Sequence, residues 1–75
     1  MENRVKEIRN EMGMSQETFA KMIGLSRPAL SQIENGQTTP GGDTIARMVK
    51  ETGRKAEEIF FELAVVQKQQ NDEPA

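Results

Sequence analysis

The chain contains neither cysteine nor histidine. Without cysteine there are no disulfides and no thiolate metal sites, and without histidine the commonest general base and metal ligand is gone. No apolar run approaches the ~18 residues of a membrane span, and no signal peptide or lipidation motif is recognisable. Those absences predict a soluble, cytoplasmic protein with no metal, no cofactor and no small-molecule ligand. Carboxylates are plentiful, at 12 Asp plus Glu, but they are scattered over solvated helix faces. A domain this small rarely builds a pocket that desolvates a carboxylate pair, so an enzyme is not expected.

Seventy-five residues make one domain at most. Such a chain buries only roughly 60% of its unfolded surface, and oligomerisation is the stabiliser left to it. The formal net charge of −2 argues at first sight against a nucleic-acid partner. Net charge is a weak test, because phosphate contacts need local cations or amide donors and not a basic total.

Along the chain the punctuation marks short helices. Val5, Ile8 and Met12 recur at helical spacing and predict a helix from about Glu2 to Met12, stopped by Gly13. Ser15 is a good N-cap for a second helix carrying Phe19, Ala20 and Ile23, which ends at Gly24. Ser26 caps a third, with Pro28 in its first turn, Leu30 and Ile33 facing inward and Asn35-Gly36 closing it. Gln37 to Gly42 reads as a loop, because Pro40 and Gly41-Gly42 resist regular structure. Asp43 or Thr44 starts a fourth helix with Ile45, Met48 and Val49 inward, and Glu57, Glu58, Ile59 and Phe60 suggest a short fifth. Arg54 and Lys55 offer that fifth helix no good cap. From Phe61 the pattern alternates as in a strand, with helix continuation as the alternative, and residues 67–75 read as a disordered polar tail.

The informative unit is Ser15 to Gly36: two capped helices joined by a Gly24-Leu25 turn. So tight a connection makes the helices cross steeply through a small residue, for which Ala20 is suited, and projects the start of the second helix outward. A helix presented in that way fits the major groove of DNA, roughly 12 Å wide.

The stretches Met14-Ser15-Gln16-Glu17-Thr18-Phe19-Ala20, Gly24-Leu25-Ser26-Arg27 and Leu30-Ser31-Gln32-Ile33-Glu34-Asn35-Gly36 resemble the phage-repressor and Cro-like helix-turn-helix family, also called the XRE family. The resemblance covers about residues 4 to 60. It implies an all-α, five-helix, lambda-repressor-like DNA-binding domain, to which a short C-terminal strand used for dimerisation could be added. By position, Arg27, Pro28, Ala29, Ser31 and Gln32 match the recognition-helix residues that meet base edges. Gln16 matches the family's phosphate-contacting glutamine, and Asn35, Gln37 and Thr38 match the closing segment that touches a second stretch of backbone. Ser15 and Ser26 mark helix N-termini, whose positive ends favour phosphate.

The chemistry of these residues suits those roles. Arg27 can contact guanine O6 and N7 in bidentate fashion and Gln32 can pair similarly with adenine, each worth about 1–3 kcal/mol of discrimination. Pro28 and Ala29 offer at most apolar contact to a thymine methyl. Plainer readings stand beside these: Ser15 and Ser26 are caps whatever else they do, and Asn35-Gly36 is first a helix terminator. Out of the family pattern, Gln16 and Arg27 are ordinary surface residues. The methionines at 12, 14, 22 and 48 fill gaps in the core.

Charge placement separates two ends. From Met1 to Asn35, Arg4, Lys6, Arg9, Lys21 and Arg27 balance Glu2, Glu7, Glu11, Glu17 and Glu34, whereas Glu51, Glu57, Glu58, Glu62, Asp72 and Glu73 all follow residue 50. A DNA-facing end and an acidic end turned away are expected. The loop after the third helix carries Gln37, Thr38 and Thr39 where many family members have Lys or Arg, so the phosphate contribution should be small.

Operators for such proteins are commonly palindromic, because a two-fold dimer sets its recognition helices about 34 Å apart. Residues 1–66 are expected to hold both the DNA-binding fold and a dimerisation segment. Phe60, Phe61, Leu63, Val65 and Val66 form its apolar surface, pairing with a symmetry mate as antiparallel strands or as packed helices. The expected function is a repressor binding double-stranded DNA as a homodimer. The alternative is an antitoxin or protein-interaction module whose partner is another protein and whose DNA binding is secondary.

Overall fold

A computed structural model describes residues 2–61 of the chain. They form five helices: α1 Val5–Glu11, α2 Gln16–Met22, α3 Arg27–Glu34, α4 Gly42–Thr52 and α5 Ala56–Ile59. The domain is all-α, and its β-type pairing among the described residues is one isolated antiparallel bridge between Asn3 and Phe60. Leu63, Val65, Val66 and the tail expected from residue 67 lie outside the described residues.

The core draws on every helix. Val5 and Ile8 of α1, Phe19 and Ala20 of α2, Leu30 and Ile33 of α3, Met48 of α4 and Ile59 of α5 are all buried, together with Ile23 and Phe60. Met12, Met14, Met22, Leu25, Ile45 and Val49 pack around them, half-buried. The helical spacing in the sequence therefore marked the correct inner faces. Each fully buried large side chain contributes roughly 1.5–3 kcal/mol through removal of apolar surface from water.

Three local expectations are corrected. First, α1 begins at Val5 and not at Glu2. The residues before it are tied to the end of α5, where Asn3 bridges Phe60 and the Arg4 N–H donates to the Ile59 carbonyl at 2.9 Å. Second, α4 begins at Gly42, earlier than Asp43, with Gly41 as an extended N-cap that makes no side-chain bond. Glycine is acceptable at an N-cap, and the buried Pro40 just before it anchors the loop to the fold.

Third, Phe60 is not a surface residue. Its backbone is extended (φ −122°, ψ 106°), which ends α5 and turns the ring inward to 0% exposure. Its apolar area is used inside the chain's own core and is withdrawn from the expected dimer surface. Phe61, at 40% exposure, is the large hydrophobic side chain that stands out among the described residues.

Candidate nucleic-acid interface

The α2–α3 unit is built by local chemistry. Ser15 Oγ accepts from the Thr18 N–H at 3.1 Å, and Ser26 Oγ accepts from the Ala29 N–H at 3.2 Å, so each helix start has one orphan amide satisfied. Ser15 Oγ also donates to Thr18 Oγ1 at 3.0 Å. Between the helices Gly24 adopts φ +77°. Its N–H reaches the Lys21 carbonyl at 3.2 Å, while the Leu25 N–H reaches the Ala20 carbonyl at 2.8 Å. This paired closure satisfies the last carbonyls of α2 and reverses the chain within one turn. Ala20, 1% exposed, is part of the buried core.

The result is a helix-turn-helix with an outward-facing second helix. Arg27, Pro28 and Gln32 are exposed, and Ala29 and Ser31 are half-buried beside them. Ser15, Ser26, Asn35, Gln37 and Thr38 are also exposed, while Gln16 is half-buried. An open cleft lined by Arg9, Ser15, Gln16, Glu17 and Arg27 runs along the starts of α2 and α3. The cleft thus brings together Ser15 and Gln16, expected to touch backbone, and Arg27, expected to touch a base.

Beneath that surface runs a polar network with no counterpart in the sequence reading. Glu34 Oε2 accepts from Arg9 Nε at 2.8 Å, and Glu34 Oε1 accepts from Gln16 Nε2 at 3.0 Å. Arg9 Nη1 donates to the Met14 carbonyl at 2.9 Å, and Arg27 Nε reaches Gln16 Oε1 at a long 3.4 Å. A carboxylate in the last turn of α3 opposes the negative end of that helix, and the Arg9 guanidinium compensates it. No buried side-chain nitrogen or oxygen among the described residues lacks a partner.

Electrostatically, that network leaves Arg27 as the cation on the α3 surface itself, because Arg9 is neutralised from below. In the sequence alone, Arg9 and Glu34 read as ordinary face charges. A detectable signal existed: Arg9 lies four residues after Val5, on the edge of the apolar stripe, and Glu34 directly follows the inward Ile33.

This arrangement of capped helices, tight turn and polar outer face is that of a DNA-reading domain. A Helix-turn-helix family model matches residues 5–59. The chain is 33% identical over 61 residues to the uncharacterized HTH-type transcriptional regulator YgzD of Bacillus subtilis, covering 81% of this chain and 92% of that protein. It is 36% identical over 59 residues to the HTH-type transcriptional regulator PuuR of Escherichia coli, where it spans 79% of this chain but 32% of the relative. It is also 41% identical over 44 residues to the ImmF control region 10 kDa protein of Bacillus phage phi105, covering 59% of this chain and 49% of that one. The chain belongs to the XRE-type helix-turn-helix family of DNA-binding transcriptional regulators. No helix among the described residues is long and apolar enough to cross a membrane.

Proposed function

We propose that the protein is a sequence-specific repressor that binds a palindromic operator as a homodimer. Arg27 and Gln32 are its main base readers, with Pro28, Ala29 and Ser31 completing the surface that faces the bases. Gln16, the amides capped by Ser15 and Ser26, and the Asn35, Gln37 and Thr38 segment hold the DNA backbone. The observation that carries this reading is the exposure of Arg27, Pro28 and Gln32 on a helix whose inner face, Leu30 and Ile33, is fully engaged in the core. That polar face is exposed among the described residues.

Dimerisation follows from the weakness of one copy. A single domain presents one guanidinium on the α3 surface and an uncharged loop at Gln37, Thr38 and Thr39, so the phosphate contribution per protomer is small. Two recognition helices on one two-fold axis multiply that modest affinity. The dimer surface comprises Phe61 with Leu63, Val65 and Val66. Repression results from occupying DNA that polymerase must use.

Selection of bound sites from a random DNA pool tests the proposal. A recovered consensus made of two inverted half-sites, about one helical turn apart, is the expected result. Recovery of no consensus, or of a single unrepeated half-site, overturns it.

A further inference from the structure

Asn3 stands where three elements meet. Its Nδ2 donates to the Ile33 carbonyl in the last turn of α3 at 2.7 Å. Its Oδ1 accepts from the Val5 N–H at the start of α1 at 3.1 Å. Its backbone pairs with Phe60 in the antiparallel bridge, next to the Arg4-to-Ile59 hydrogen bond. The following residue, Phe61, has its ring 5.4 Å from the Arg4 guanidinium.

One residue therefore holds both the C-terminal end of the recognition helix and the point where the chain leaves α5. The Ile33 carbonyl also accepts from the Gly36 N–H at 3.0 Å, so the Asn3 amide adds a second, directional bond to it from another part of the chain. α5 has 4 residues and no side-chain cap, and a helix of one turn gives Phe60 little orientation of its own. The bridge to Asn3 holds Phe60 in place.

We infer that Asn3 is a positioning residue that sets where Phe60 and the exposed Phe61 stand relative to the recognition helix, and through Phe61 the half-site spacing that the dimer accepts. This rests on the homodimer proposed above. Two-fold symmetry doubles any error: a shift of about 1.7 Å in each protomer changes the separation by about 3.4 Å, one base-pair step. Specificity for spacing is then held by a residue that touches no DNA.

The experiment uses Asn3→Ser in the full chain. Serine retains a short acceptor for the Val5 N–H but cannot reach the Ile33 carbonyl. Binding is measured on inverted half-sites, taken from the site selection, with the central spacer varied one base pair at a time. The wild type should prefer one spacing, and Asn3→Ser should move that optimum or lower its preference over neighbouring spacings by about threefold or more. Base preferences within the half-site and the dimer constant from sedimentation should stay as they were.

An unchanged spacing profile, with only a lower melting temperature, overturns the inference and makes Asn3 a simple helix-end cap. Should Asn3→Ser fail to fold, Asn3→Gln keeps both amide functions but adds a methylene, and an unchanged profile in that variant overturns the inference equally. Failure of the underlying reading looks different: the wild type itself sediments as a monomer on DNA and shows no spacing preference, and the inference falls with it.

Discussion

Arg9 and Glu34 form an ion pair at 2.8 Å that joins α1 to α3, with side chains only 10% and 2% exposed. The same Glu34 carboxylate accepts from Gln16, so the pair links the core to the DNA-facing surface. Glu34→Ala leaves the Arg9 guanidinium without its counter-charge and should destabilise the fold by roughly 3–5 kcal/mol in chemical denaturation. Arg9→Met combined with Glu34→Met should recover most of that loss, since apolar replacement of a whole buried pair is often neutral. DNA binding should not recover with it, because Gln16 still lacks its partner. Equal recovery of both properties refutes the link.

Arg27 is tested by the form of its loss. Arg27→Ala should cost about 1–3 kcal/mol and relax the preference at one position of each half-site, as expected for a guanine reader. Binding to a panel of single-base operator variants gives the answer. A uniform loss over all sequences, together with a salt slope smaller by about 1 per half-site, assigns Arg27 to phosphate instead. Its long contact to Gln16 Oε1 makes this comparison informative, because both residues could converge on one phosphate.

Phe60 and Phe61 are neighbours with opposite expected phenotypes. Phe60→Ala removes a ring with 0% exposure and should cost about 3–5 kcal/mol of folding stability. Phe61→Ala removes a 40% exposed ring and its cation–π contact with Arg4, which is worth only about 0.5–1 kcal/mol at such a site. Its expected effect is on assembly: sedimentation should show dissociation at concentrations where the wild type is dimeric. An undisturbed dimer removes Phe61 from the interface.

Gly24→Ala separates backbone strain from crowding. A Cβ there would meet Arg47 Nη1 at 3.9 Å, an ordinary contact, but the backbone has φ +77°. The cost should be about 1–2 kcal/mol from left-handed geometry alone. Adding Arg47→Ala should restore none of it. Rescue by that second change, read in thermal melting, would mean that crowding and not φ sets the penalty.

What could be read in the sequence was mostly local. Ser15 and Ser26 cap as their positions before apolar stripes foretold, and Leu30 and Ile33 turn inward as their three-residue spacing requires. What escaped involved partners distant along the chain. Nothing near Asn3 announces that it reaches the Ile33 carbonyl, and nothing near Arg9 announces Glu34. The late start of α1 has the same cause: helix-compatible residues before Val5 are tied instead to Ile59 and Phe60. The Phe60 assignment failed because an apolar residue after a short helix reads alike whether it caps a core or covers a dimer. The support of Gln16 was not legible: its side chain is held by the Glu34 carboxylate, which lies 18 residues along the chain.

The loop between α3 and α4 presents Gln37, Thr38 and Thr39 to solvent and without charge. For the repressor proposed above, which must find one operator among a vast excess of other DNA, that neutrality would set how the molecule spends its time. Weak attraction to arbitrary phosphate means brief stops, little sliding and a large unbound pool, so small changes in copy number pass directly into operator occupancy. A more basic loop would bind the genome at large and blunt that response.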